Sequence, residues 1–181
     1  MTEKTTYHYS WEGILESKVV ERNYKDEIEK TTVQVAKVLD GAKIPTEGSD
    51  ESAGYDLYAC KESNDGSPVI ASILPGCSAK IHTGISMSIP RGFFGAVYAR
   101  SGLASKKGLR PANCVGVIDS DYRGEIMVVL YNDSDRTQIV APGDRIAQII
   151  ISPYAVDTEM EEVDILDETE RGEGGFGSTG V

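Results

Sequence analysis

An all-β fold follows from three features of the chain. From residue 32 onward apolar and polar residues alternate in short runs, most regularly over Ser78–Ile89. Turn-forming strings, Pro90-Arg-Gly92, Asn132-Asp-Ser134 and Pro142-Gly-Asp144, punctuate those runs. Between the later strands only Ser101–Lys107 reads as a helix, and it is short. A chain of 181 residues, 40% of them hydrophobic, supports one good core and is too short for two large domains. The spacing therefore predicts one sandwich or barrel with appendages.

Each element has its own warrant. Thr32–Val38 alternates and is the first half-buried strand, and the polar stretch Asp40–Ser52 after it is a loop. Ser52–Leu57 leads into a strand, and Lys61–Pro68 is a second polar loop. In Ser78–Ile89 the period of two puts Ile81, Ile85, Met87 and Ile89 on one face and His82, Gly84, Ser86 and Ser88 on the other. Phe93–Tyr98, Ile126–Tyr131 and Ile146–Ser152 are the later strands, and Asn113–Gly124 reads as strand, turn and strand, a β-hairpin. Residues 1–31 differ, with Val20, Tyr24 and Ile28 at helical spacing amid Glu and Lys, which suggests an amphipathic helix or a partly ordered arm on the outside of the domain. Eight of the fourteen residues of Asp157–Glu170 are acidic, a solvated connector with the reach to carry the tail to another subunit. The organisation is thus an N-terminal extension of unknown role at 1–31, a β core at 32–156, and a connector with a glycine-rich arm at 157–181.

A formal charge of −11 argues against nonspecific binding to nucleic acid or anionic membranes, which draws on clustered Lys and Arg. An acidic chain that binds phosphate must gather a few arginines, and a divalent cation, against its own field. Three cysteines without metal-like spacing and no apolar signal or transmembrane run fit a reducing cell interior, cytoplasmic or nuclear, in a host cell or otherwise, rather than secretion. With His8 and His82 the only histidines, a histidine metal cluster or His-dependent triad is not expected, and a carboxylate is the expected general base.

The tail Arg171-Gly-Glu-Gly-Gly-Phe176-Gly177-Ser178-Thr179-Gly180 is by itself more often a solvated glycine-rich tail, but it also has the composition of a clamp for a phosphate and a ring. Glycines let backbone N–H groups turn toward an anion, Arg171 is a forked cation, Ser178 and Thr179 carry hydroxyl donors, and Phe176 offers a flat apolar face. No lysine follows the glycines, so it is not a Walker A loop. A hairpin with unpaired backbone over Asn113–Gly124 suits a pyrimidine edge, Tyr122 a position beneath a sugar with no room for a 2′-hydroxyl, and Asp119 the acceptance of a proton from water, although taken alone the string is equally an ordinary Asp/Tyr/Gly turn. Arg100 and Ser101 stand at a helix start, which suits phosphate but is more commonly a serine N-cap with an exposed arginine. Asp56 suits either a hydrated Mg²⁺ or the closing of a turn. The pair Asp144–Arg145 reads as structural, and composition leaves the role of Gln148 open.

In this order, Ala53-Gly-Tyr-Asp-Leu57, Arg100-Ser-Gly-Leu-Ala104, Gly116-Val-Ile-Asp-Ser-Asp-Tyr-Arg-Gly124, Gly143-Asp-Arg-Ile-Ala-Gln148 and Arg171-Gly-Glu-Gly-Gly-Phe-Gly-Ser-Thr179 resemble the five motifs of the trimeric dUTP diphosphatase (dUTPase) family. The resemblance spans roughly residues 32–180. It implies a dUTPase-like β-jelly-roll of the β-clip type, forming a homotrimer that exchanges C-terminal arms, with each active site built from all three chains. It implies Mg²⁺-assisted attack of water on the α-phosphorus of dUTP, giving dUMP and pyrophosphate, which limits uracil incorporation into DNA and supplies dUMP for dTMP synthesis. Asp119 would be the general base, and Asp56 would reach Mg²⁺ through water. Arg100, Ser101, Gly102 and Gln148 would hold phosphates, with Arg171, Ser178 and Thr179 on the γ-phosphate and Phe176 stacked on uracil. Asn113, Gly116, Val117, Ile118, Tyr122 and Gly177 complete the implied substrate-binding set.

The chain departs from the family pattern in residues 1–31 and in a long connection over residues 61–71, either of which is a candidate surface for a protein partner. Cys114, within the hairpin, reads as a small buried thiol. Two rival functions remain open on sequence. A dCTP deaminase or bifunctional deaminase–diphosphatase would need a glutamate beside the base, for which Glu125 is the candidate, and would release ammonia. A nucleotide-responsive regulatory protein would use the extension or the loop as its second surface.

Overall fold

The computed structural model describes residues 31–60 and 70–174, together with the backbone strands 3–9 and 15–22. Short strands follow from the frequency of turn residues: β1 (Glu3–Tyr9) and β2 (Leu15–Arg22), then β3 (Gln34–Lys37), β4 (Thr46–Glu47), β5 (Tyr55–Tyr58), β6 (Ala71–Ile73), β7 (Ser78–His82), β8 (Ile85–Ser88) and β9 (Phe93–Tyr98). The helix α1 (Ser101–Lys107) comes next, followed by β10 (Leu109–Pro111), β11 (Gly116–Ile118), β12 (Met127–Asn132), β13 (Gln138–Val140) and β14 (Arg145–Pro153). A five-stranded sheet in the order β11-β9-β14-β5-β4 faces a three-stranded β10-β12-β7 sheet and the pairs β13-β6 and β3-β8, a jelly-roll arrangement. Nearly all these pairings join strands distant in sequence, so the core is made by long-range contacts.

The alternation over Ser78–Ile89 is realised as two strands. Ile81, Ile85, Met87 and Ile89 are all buried, packing with Leu57, Leu130, Ile146 and Ile149. The chain turns between β7 and β8 at Gly84, whose φ is 69°. A Cβ there would stand 2.8 Å from Ala42 Cβ and 2.8 Å from Cys60 Sγ, while the Gly84 carbonyl accepts from the Val38 and Leu39 N–H groups. Gly84→Ala combines left-handed strain with overpacking and should destabilise the fold by about 3 kcal/mol. A lowered urea midpoint at unchanged m value is the expected reading, and an unshifted midpoint would contradict it.

The helix starts where Arg100 leaves extended backbone and ends at Gly108 in the left-handed conformation, whose N–H returns to Ala104 O. Lys106 and Lys107 occupy the last turn, where the dipole favours cations.

Two expectations are corrected. The N-terminal segment is a β1–β2 hairpin, with Glu3 opposite Arg22, Lys4 opposite Glu21 and Thr5 opposite Val20. Its sequence is dense in Thr, Tyr and Val, which lose more freedom in a helix than in a strand, and opposite charges fall at paired positions. Tyr24 and Ile28 lie outside the described residues, as do 61–69 of the long connection. The second correction concerns Asn113–Gly124. Its strands do not pair with each other: β11 pairs with β9 and β12 with β7 and β10, so the 119–125 turn passes from one sheet to the other.

Candidate active site

The phosphate half of the site forms where β5, β14 and the start of α1 meet. Gln148 lies opposite Asp56 in one ladder and opposite Tyr98 in the next, which places Asp56, Gln148 and the approach to Arg100 in one row across the sheet. A register shift between Arg145 and Ala147 re-aims Arg145 into the same place. Asp56 is 8% exposed, and its carboxylate is gripped from two directions, by Arg100 Nε at 2.6 Å and Arg145 Nη1 at 3.1 Å. Gln148 Nε2 donates to Ala99 O at 2.9 Å, and Gly54 leaves room for the Gln148 amide, since a Cβ would stand 3.2 Å from its Oε1.

These residues border a cleft of about 290 Å³ with Ser52, Ser101 and Gly102. The first intrahelical bonds are made by Leu103 N and Ala104 N to Arg100 O, so the N–H groups of Ser101 and Gly102 stand ahead of them at the cleft. A Cβ on Gly102 would meet nothing within 4 Å in this chain, so its own packing does not demand a glycine. A larger cavity of about 520 Å³, lined among others by Val33, Val35, Met87, Phe93 and Ile149, contains no charged side chain and does not suit phosphate.

Among the described residues no group of three or more His, Cys, Asp or Glu side chains gathers into a metal cage. Both oxygens of Asp56, the one carboxylate of the cleft, are paired with guanidiniums, so Asp56 would reach a divalent cation only through water, and the ion would be held chiefly by substrate phosphates, the behaviour of Mg²⁺.

The base half is β11. Among the described strands it pairs only with β9, and its outer side presents backbone donors and acceptors. The Asn113 amide covers Gly116 so closely that a Cβ there would stand 3.1 Å from Nδ2. Val117 is exposed and Ile118 half-buried beside it. Beyond them Asp119 and Tyr122 are exposed on a turn closed by Tyr122 N donating to Asp119 O at 3.2 Å, and Arg123 Nη1 donates to Ser120 O at 2.7 Å.

Cys114 corrects the expectation of a buried thiol. The residue is exposed, its Sγ donating to Pro111 O at 2.7 Å and accepting from Arg110 Nη1 at 3.4 Å. The paired Asp133 carboxylate, and then the Cys114 sulfur, hold the Arg110 guanidinium above its ordinary pKa. This cluster fastens the base of the loop that carries Asn113.

The two halves do not meet within one chain. Gly116 lies opposite Val97 and Ile118 opposite Gly95, so the same register sets Asp119 opposite Phe94, while Arg100 lies beyond the other end of β9. Six residues of extended chain separate those positions, roughly 20 Å at about 3.3 Å per residue. Arg171 is also apart from the cleft, its Nε donating to Gly174 O at 2.8 Å within an exposed turn. Phe176, Gly177, Ser178 and Thr179 lie outside the described residues.

A dUTPase family model matches residues 40–180. This chain belongs to the dUTPase family. It is 46% identical over 151 residues to the deoxyuridine 5′-triphosphate nucleotidohydrolase of Syntrophotalea carbinolica, covering 82% of this chain and 97% of that protein. The corresponding enzyme of Desulfitobacterium hafniense is 49% identical over 140 residues, covering 77% of this chain and 88% of the relative. Among solved structures, a mutant dUTPase of Staphylococcus bacteriophage 80alpha, bound to dUpNHpp, superposes with a TM-score of 0.70 at 28% identity, covering 84% of this chain and 100% of that one. A phage phi11 dUTPase mutant that coordinates a structural Mg(II) ion shares the fold with a TM-score of 0.65 at 24% identity, over 76% of this chain and 99% of that one.

Of the dUTPase residues expected from sequence, the structure brings Asp56, Arg100, Ser101, Gly102 and Gln148 together in one cleft. It gathers Asn113, Gly116, Val117, Ile118, Asp119 and Tyr122 on a separate edge and turn. Arg145 is the residue that sequence reasoning missed. Its partner Asp144 is structural as expected, accepting from Ala141 N at 2.9 Å, but Arg145 itself faces the cleft. A bulge has no local sequence signature here, and a charged pair at a strand opening is ordinary.

Proposed function

We propose that this dUTPase-family chain hydrolyses dUTP to dUMP and pyrophosphate, with the Asp119 carboxylate taking a proton from the water that attacks the α-phosphorus. The observation that carries the reading is the convergence of Arg100 and Arg145 on one cleft beside Asp56. Phosphoryl transfer asks for positioning and charge neutralisation more than covalent chemistry, and two guanidiniums with the Ser101 and Gly102 N–H groups are suited to both. Asp56 would hold a Mg²⁺ ion through water, and that ion would supply further neutralisation of phosphate charge. The β11 edge and the Asn113 amide read the uracil ring, and Tyr122 lies beneath the sugar and excludes a 2′-hydroxyl.

In the same reading the site is completed in a homotrimer. The roughly 20 Å between Asp119 and the arginine cleft favours this, because one nucleotide must touch both. The acidic connector then carries Arg171, Phe176, Ser178 and Thr179 to a neighbouring copy. The deaminase alternative is disfavoured by Glu125, whose two oxygens meet His82 Nδ1 at 2.8 Å and Gly84 N at 2.8 Å, so that this carboxylate is anchored to the β7–β8 turn rather than free to activate water beside the base.

Arg145→Ala should lower kcat/KM for dUTP by about 10- to 100-fold through loss of a charge-assisted contact, with Arg145→Lys recovering only part because lysine lacks the planar fork. Wild-type kinetics in Arg145→Ala would remove that residue from the phosphate site. The reaction itself is tested by product analysis with Mg²⁺ and dUTP, dCTP, dTTP or UTP. Pyrophosphate and dUMP from dUTP alone is the expected result, whereas ammonia from dCTP would establish the deaminase.

A further inference from the structure

Discrimination against the ribonucleotide depends on where the Tyr122 ring lies, and an exposed tyrosine on a turn has nothing of its own to fix that ring. In this chain the ring is fixed by its neighbours. It folds back over Gly124, where a Cβ would stand 2.6 Å from Cζ and 3.0 Å from Cε2, and its hydroxyl donates to the Glu125 carbonyl at 3.0 Å. The backbone of Gly124 does not take a positive φ, so what this glycine supplies is space rather than conformation.

Glu125 is in turn an anchored point. Its carboxylate accepts the Gly84 N–H at 2.8 Å and pairs with His82 Nδ1 at 2.8 Å, with side chains only 15% and 29% exposed. The next residue continues the anchorage: Ile126 N donates to Ile85 O at 2.8 Å, and Ile126 O accepts the Thr83 hydroxyl. The β7–β8 turn is itself packed against Ala42 and Cys60 through Gly84. A continuous set of contacts thus runs from the core, through His82 and Glu125, to the hydroxyl of Tyr122.

We infer that Gly124 and Glu125 are specificity-positioning residues: Gly124 provides the space, and Glu125, held by His82 and Gly84, the fixed point that set the Tyr122 ring and thereby exclude a 2′-hydroxyl. Neither touches substrate. The inference rests on the reading of Tyr122 as the surface beneath the sugar. Because the ring is surface-exposed, displacing it costs the fold little, but it opens room under the sugar. The chain's altered property is then the ratio of kcat/KM for dUTP to that for UTP, more than kcat for dUTP.

The experiment compares that ratio, and thermal stability, in full-length Tyr122→Ala, Tyr122→Phe, Gly124→Ala, Glu125→Ala and Glu125→Gln. Gly124→Ala is expected to lower the ratio by about tenfold with little change in Tm. Glu125→Ala should lower it similarly, and Glu125→Gln, which keeps an acceptor for the Gly84 N–H, should restore most of it. Tyr122→Phe loses only the hydroxyl contact and should fall between Tyr122→Ala and the parent. If Tyr122→Ala relaxes selectivity while Tyr122→Phe, Gly124→Ala and Glu125→Ala all keep the parental ratio, the positioning inference fails and the sugar reading survives. If Tyr122→Ala itself keeps the parental ratio, the sugar reading fails and takes the inference with it.

Discussion

Asp119→Asn is expected to lower turnover of dUTP by about three orders of magnitude while nucleotide binding persists, because on the proposed role an amide would keep the shape of the carboxylate but could not accept the proton of the attacking water. The carboxylate is exposed on a turn closed by backbone contacts, so the substitution leaves the fold intact. Steady-state kinetics and titration with a non-hydrolysable dUTP analogue separate the two effects. Undiminished hydrolysis would remove Asp119 as the base, and loss of binding with loss of rate would recast it as a binding residue.

Deleting residues 171–181 is the second large effect. The removed segment carries one guanidinium, two hydroxyls and an aromatic face, and charge-assisted contacts of about 1.5–3 kcal/mol with a stacking contact of about 1–3 kcal/mol account for a loss of about 10³-fold in kcat/KM. Thermal stability should be unchanged, since the hydrogen bond of Arg171 described here stays within its own turn at Gly174. A truncated protein with normal turnover would refute the clamp. A large drop in Tm would mean that the tail is a structural element.

Local patterns made much of this architecture legible, and long-range choices hid the rest. Phe93–Tyr98 and Ser101–Lys107 appear with the bounds their sequence suggests, because an apolar run ending in Arg-Ser and a short run ending in Lys-Lys-Gly carry their own start and stop signals. The buried face of Ile81, Ile85, Met87 and Ile89 survives a break at Gly84, since the break preserves the period of two. Which strand pairs with which is not a local property. The 113–124 segment therefore read as a closed hairpin, although β11 and β12 belong to different sheets. The cleft residues were legible as motifs, but Arg145 depended on a bulge, and Glu125 on a contact with His82 forty-three residues away in sequence. The N-terminal hairpin was obscured by a helical spacing of three residues, two of which lie outside the described segment.

The most direct test of a site divided between copies is complementation between two inactive variants. Asp119→Asn and Arg100→Ala proteins, each inactive alone, are unfolded together, refolded in equal amounts and assayed for dUTP hydrolysis. If Asp119 and the arginine cleft of one site come from different chains, about a quarter of the sites in the mixture regain both groups, and activity returns. A mixture that assembles but stays as inactive as its components would place both groups in the same chain's site and contradict this account.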